Sequence, residues 1–194
     1  KYWIHNNMIT INGKKMGKSY NNVIKLTEMF SGNHPLLTQA FNPMTIRFFI
    51  LQTHYRSTLD FSSEALVAAD KGLKRLWEAY ENLKKFEPGN SDLPGSNPDV
   101  ELKINSLIDE FDEFMNDDFN TAKVLANMFE IVPVINSIKD GIIEKNALSS
   151  SALSRLKNVF SVYIEDILGL QSISQNNETL SGVMQLLVEI RKEA

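Results

Sequence analysis

Residues 62–85, SSEALVAADKGLKRLWEAYENLKK, decide the fold class. Leu66, Ala69, Leu73, Leu76, Tyr80 and Leu83 recur at three- and four-residue spacing, which puts them on one face of a helix. Ser62 stands where a hydroxyl can cap that helix, and Phe61 and Leu66 occupy the positions of a hydrophobic staple. A helix with a single apolar stripe has to bury it against another element, so more helices are expected nearby.

The following sequence supplies them. Residues 86–99 read as a loop, with Pro88, Gly89, Pro94, Gly95 and Pro98 among Asn, Asp and Ser. A second helix presents Ile104, Leu107, Ile108, Phe111, Phe114 and Met115. A third, capped by Asn120 or Thr121, is lined by Val124, Leu125, Met128, Phe129, Val132 and Ile135, and Pro133 is expected to kink it. A fourth runs from about Ser150 to Leu168, with Leu153, Leu156, Phe160, Tyr163, Ile164 and Ile167 inward and Gly169 placed to end it. A polar linker over 172–177 and a last helix from about Ser181 complete this half. Upstream the pattern changes. Ile9 and Ile11 alternate with polar residues, and Asn12-Gly13 is a tight-turn dipeptide. Helical faces follow at about Val23 to Phe30 and at Thr45 to Gln52, the latter carrying Ile46, Phe49 and Ile50. The fold class is therefore mainly α: an antiparallel helical bundle preceded by a small strand and loop segment.

Composition narrows the function classes. The 194 residues are 43% hydrophobic and 23% charged, an ordinary globular balance that excludes disorder of the whole chain. No apolar run approaches the ~20 residues of a membrane span, and no secretory signal is expected. There is no cysteine, so disulfides and thiolate metal sites are excluded within this sequence. Net charge is −4, unevenly spread: residues 1–100 hold 12 Lys and Arg against 9 Asp and Glu, and residues 101–194 hold 8 against 15. A nonspecific, strongly basic nucleic-acid binder is disfavoured, while a local basic contact in the first half stays open. The sequence starts at Lys1 and stops within an amphipathic pattern at Ala194, which reads as a piece of a longer protein.

Three groups of residues can carry chemistry. Lys15-Met16-Gly17-Lys18-Ser19 puts two ammonium groups on a loop after a tight turn. It reads either as a solvated basic hairpin tip, the commoner outcome for such loops, or as a polyphosphate cradle acting electrostatically. His54-Tyr55-Arg56 reads either as an RNA contact or as a helix-end cluster. Asp117-Asp118, just before a helix, reads either as a metal or acid–base pair or, in preference, as acidic residues that favour the helix dipole. His5 and His34 lack a second ligand at useful spacing, so no metal site is expected.

Taken in order, these residues resemble a known family. Tyr2-Trp3-Ile4-His5-Asn6-Asn7 followed by Lys15-Met16-Gly17-Lys18-Ser19 resembles the Lys-Met-Ser-Lys-Ser signature of class I aminoacyl-tRNA synthetases with its lead-in. Ile46-Arg47-Phe48-Phe49-Ile50-Leu51, His54-Tyr55-Arg56-Ser57, Leu59-Asp60-Phe61-Ser62 and Asp117-Asp118-Phe119-Asn120-Thr121 are similar to the carboxy-terminal half of cysteinyl-tRNA synthetases. The resemblance implies that Lys18 contacts ATP and stabilises the pyrophosphate side of the activation transition state, with Lys15 supporting it and Met16, Gly17 and Ser19 completing the ATP-binding loop. Gly17 replaces the usual Ser and adds backbone freedom, and Tyr20-Asn21 stands where Leu-Gly is typical, before the matching Asn22. Both departures bear on how the loop closes. Arg47 matches the arginine of the helical domain named for Asp-Ala-Leu-Arg, and with His54, Tyr55 and Arg56 it is a candidate tRNA contact.

The resemblance implies three divisions. Residues 1–42 would end a catalytic domain, residues 43–170 would form the tRNA-contacting helical bundle, and residues 171–194 would begin an anticodon-binding region. It also implies a cytoplasmic ligase that uses ATP as substrate and pairs with a cysteine-specific tRNA. Zinc would be held by parts of the parent outside this sequence, and the missing catalytic domain would be this piece's partner. The piece alone is expected to be inactive. Two other readings remain: a synthetase-like ligase joining cysteine to a small amine, and a non-catalytic helical interaction module.

Overall fold

Residues 62–85 do form the long central helix of the computed structural model, which describes residues 1–87 and 95–172. The elements in chain order are β1 (Ile9–Ile11), β2 (Lys14–Lys15), α1 (Leu26–Ser31), α2 (Pro43–Leu51), β3 (Leu59–Phe61), α3 (Ser63–Lys85), α4 (Pro98–Asn116), α5 (Thr121–Lys139) and α6 (Ser150–Ser161), the last running into a π-helical turn at Val162–Ile167. Most of the expected linker over 172–177, the helix from Ser181 and residues 88–94 of the loop lie outside the described residues.

Helix α3 begins as its sequence dictates. The Ser62 hydroxyl accepts from the Ala65 N–H at 3.1 Å, a cap worth about 1 kcal/mol. Leu66, Ala69, Leu73, Leu76, Tyr80 and Leu83 are all buried. Side chains also cap the other long helices: Asn42 ahead of Pro43, Asn97 ahead of Pro98, Asn120 for α5 and Ser149 for α6. Helices α4 and α5, joined by a short turn, pack on each other and α5 on α3, so the shared core includes Leu73, Leu76, Ile108, Phe111, Val124 and Met128. Leu107, Phe114, Met115 and Phe129 are only half-buried, at the margin of that core.

The small sheet has the order β2-β1-β3. β1 and β2 form a hairpin across Asn12 and Gly13, whose φ values of 51° and 75° are those the dipeptide was expected to supply. β3 was not legible in the sequence: its three residues pair in parallel with β1, from about fifty residues away. Three expectations are corrected. Helix α1 starts at Leu26, not Val23: residues 22–25 form no regular element, Lys25 is extended at φ −80°, ψ 152°, and Ile24 is buried from that irregular stretch. Lys15 lies in β2 rather than in a loop, paired with Thr10. Ile167 is 41% exposed, and Leu168 is buried in its place. The cause is the π turn, in which the Leu168 N–H bonds the Tyr163 carbonyl five residues back, so the inward face slips by one position. Gly169, at φ +59°, ends the segment as expected.

Candidate functional site

The hairpin carries the lysine loop. Lys15 is the last residue of β2, and Lys18 opens a single 3-10 turn, Lys18–Tyr20. Both side chains are exposed, and among the described residues neither ammonium is paired with a carboxylate. The backbone beneath them is held tightly. The Met16 N–H donates to the Ile9 carbonyl at 3.1 Å, the Tyr20 N–H to Gly17 at 3.0 Å and the Asn21 N–H to Lys18 at 3.1 Å. On the far side, Asp60 of β3 accepts from the Gly13 N–H at 2.7 Å and from the Thr10 hydroxyl at 2.5 Å, which fixes the hairpin turn.

The two departures from the pattern that the resemblance implies have a physical reading. Asn21 sits at φ 50°, ψ 35°, the left-handed region that glycine prefers and that asparagine tolerates best among the other residues. Asn therefore occupies a position that Gly would fill without altering the turn. Gly17, by contrast, does not use the freedom it was expected to add: at φ −172°, ψ 149° its backbone is extended, a conformation open to any residue. A Cβ there would meet the Tyr20 ring at 3.4 Å, ordinary contact.

His54, Tyr55 and Arg56 converge on one carboxylate. The Tyr55 hydroxyl donates to Asp118 Oδ1 at 2.5 Å. Arg56 Nε lies 2.6 Å from Asp118 Oδ2, and His54 Nε2 lies 3.7 Å from it. The two rings stack at 4.9 Å, and the Arg56 guanidinium also bonds the Tyr55 oxygen at 3.0 Å. The Tyr55 hydroxyl, with Arg56 behind it, holds the Asp118 carboxyl below the usual carboxylate range although desolvation opposes the shift. The same contacts raise Arg56, the Tyr55 bond first and Asp118 next. The helix-dipole reading of Asp117-Asp118 is thereby corrected. Asp117 closes α4, its N–H donating to the Glu113 carbonyl, and α5, capped by Asn120, has no acidic residue in its first turn. Sequence reasoning had no signal to join residues more than sixty positions apart. The lead-in joins the same cluster: Asn7 donates through its backbone to the Tyr55 carbonyl and through its side chain to that of Arg56.

Arg47 is drawn elsewhere. Its Nε donates at 2.7 Å to the Leu168 carbonyl, at the end of the π turn, and its guanidinium lies where a Cβ on Gly169 would stand. The lysine loop thus sits on the sheet-bearing half, the Asp118 cluster ties His54, Tyr55 and Arg56 to the turn between α4 and α5, and Arg47 faces the end of the bundle. Beside Tyr55 a cavity of about 320 Å³ is walled by Ile9, Ile50, Leu51, Leu59 and Phe119. Among the described residues no three His, Asp or Glu side chains come together as a metal cluster, and no helix is long and apolar enough to cross a membrane.

Residues 1–71 match the family of class I (C) tRNA synthetase catalytic domains, and residues 110–172 match the DALR domain. The whole chain is similar to a cysteine–tRNA ligase of Parabacteroides distasonis (49% identical over 38% of that protein) and to one of Bacteroides fragilis (51%, again over 38%). It is also 36% identical to a cysteine–tRNA ligase of Chlorobaculum tepidum, over 37% of that protein. The chain spans somewhat under two-fifths of the length of the curated relatives it matches.

Proposed function

From a similarity to cysteine–tRNA ligases that covers every residue of the chain, we propose that it is a segment of such an enzyme. The parent activates cysteine with ATP and transfers it to the 3′ adenosine of a cysteine-specific tRNA, in the cytoplasm. This segment supplies the ATP-contacting loop and a tRNA-facing helical scaffold. The observation that carries the reading is the lysine loop: two exposed, unpaired ammonium groups on a backbone held in place on both sides.

In the activation step the cysteine carboxylate attacks the α-phosphorus of ATP, and the bond to the departing pyrophosphate breaks. Negative charge gathers on the pyrophosphate oxygens. Lys18, with Lys15 behind it, neutralises that charge, and Met16, Gly17 and Ser19 complete the loop around the phosphates. A fixed backbone lowers the reorganisation needed when the charge develops. Arg47, His54, Tyr55 and Arg56 are proposed as tRNA contacts, and the Arg56 side chain is 67% exposed against 21% for His54. Zinc has no fitting set of ligands here, since the chain lacks cysteine and its described residues form no His, Asp or Glu cluster. Its ligands are assigned to other parts of the parent, along with the rest of the catalytic domain. We place the divisions at residues 1–42, 43–170 and 171–194, as the end of the catalytic domain, the helical bundle and the start of the anticodon-binding region.

The test is pyrophosphate exchange by the full-length protein, run with each amino acid in turn. Exchange with cysteine alone is expected, and Lys18→Ala should slow it by about 100-fold or more without changing the melting temperature. Added tRNA should then become aminoacylated, which a ligase acting on a small amine would not do. Absence of exchange with every amino acid in folded protein would overturn the reading.

A further inference from the structure

Asn22 follows the lysine loop and reaches back into it. Its Oδ1 accepts from the Gly17 N–H at 2.9 Å, and its Nδ2 donates to the Lys15 carbonyl at 3.0 Å. One side-chain amide thus spans the loop between the two lysines, gripping the backbone just after the first and just before the second. We propose that Asn22 is the positioning residue that sets the spacing and direction of Lys15 and Lys18. The inference rests on the reading of that loop as the ATP-contacting element.

Three physical points support it. First, the amide carries both a donor and an acceptor, and both are used; a carboxylate keeps only the acceptor and an apolar side chain neither. Second, every other tie in the loop is between backbone groups: Met16 to Ile9, Tyr20 to Gly17 and Asn21 to Lys18. Those bonds hold β2 against β1 and close the 3-10 turn, but none of them joins β2 to that turn. Asn22 supplies the joint, and it is half-buried while the two lysines are exposed. Third, charge stabilisation by long, flexible lysines depends on where their backbones start. A displacement of about 1 Å at a reacting centre can lower a rate by about 100-fold.

The experiment uses the full-length protein, with cysteine-dependent pyrophosphate exchange as the assay and Lys18→Ala as the reference. Asn22→Leu keeps the branched shape of the side chain and removes both hydrogen bonds. It is expected to lower kcat by about 10- to 100-fold, with KM for ATP within about 3-fold of the parent and the melting temperature unchanged. Exchange at the parental rate in Asn22→Leu, alongside a loss in Lys18→Ala, overturns the positioning role and leaves the loop's function standing. A parental rate in Lys18→Ala overturns the loop's function and this inference with it. A lower kcat matched by a lower melting temperature and a comparable rise in KM marks Asn22 as merely structural, and also overturns the proposal. If Asn22→Leu does not fold, Asn22→Ser, which adds no bulk and is too short to span both partners, is judged by the same criteria.

Discussion

Asn21 and Gly17 are the two departures from the pattern that the resemblance implies, and their backbones make them unequal. Asn21 sits in the left-handed region, where a β-branched side chain is strained, so Asn21→Val is expected to cost about 1–2 kcal/mol. Gly17 is extended and has room for a Cβ, so Gly17→Ser is expected to change stability by no more than about 0.5 kcal/mol. Urea unfolding of the full-length protein with each substitution checks both, and equal effects would contradict the backbone argument. The residue types at this loop were legible in the sequence; the backbone conformation that makes one departure consequential and the other neutral was not. Asn22 shows the same limit. Its type and position are plain in the sequence, but its grip on Lys15 and Gly17 depends on how the chain turns at Asn21.

Among the elements, the long helices were readable because each shows an apolar face at helical spacing and a capping residue at its start. That signal is local, and it survives in α3 down to the hydroxyl of Ser62. Besides misplacing the start of α1, it failed in two places for physical reasons. β3 has only three residues, and its partner is a distant parallel strand, so nothing nearby in the sequence marks it. The end of α6 departs from the period that reads its face. The π turn brings Tyr163 onto Phe111, with ring centroids at 4.9 Å, and its hydroxyl onto Asp112. Glu165 from the same turn accepts from the Tyr80 hydroxyl at 2.8 Å. Two long helices are thus tied to one turn, and the inward position passes from Ile167 to Leu168. Leu168→Ala is therefore expected to destabilise by about 2–5 kcal/mol, as for other truncations in a packed core, and Ile167→Ala by about 0.5 kcal/mol or less. Comparing the unfolding free energies of the two variants tests the slip; a larger loss for Ile167→Ala would show that the regular helical face persists to the end.

Across the molecule, helix α2 joins the sheet-bearing half to the bundle and is held from both sides by bonds to distant segments. Arg47 binds the Leu168 carbonyl, and the Thr121 hydroxyl donates to the Leu51 carbonyl at 2.8 Å. Just beyond α2, His54, Tyr55 and Arg56 meet Asp118 in the turn between α4 and α5. None of these pairings leaves a mark in the local sequence, which is why His54-Tyr55-Arg56 and Asp117-Asp118 read as separate features. The Asp118 tie has a definite pH dependence. Its carboxyl is held below the usual range in the fold, so its contribution to stability is complete above the ordinary aspartate pKa and is lost as pH falls through the lowered folded value. Asn at this position keeps an acceptor but has no charge to titrate or to pair with Arg56. Asp118→Asn should therefore be less stable than the parent from about pH 5 upward, with the gap narrowing below about pH 4. Unfolding midpoints of both proteins measured from neutral to acid pH decide it. A gap that stays constant across that range would mean that the Tyr55 and Arg56 contacts hold the two halves together without help from the charge on Asp118.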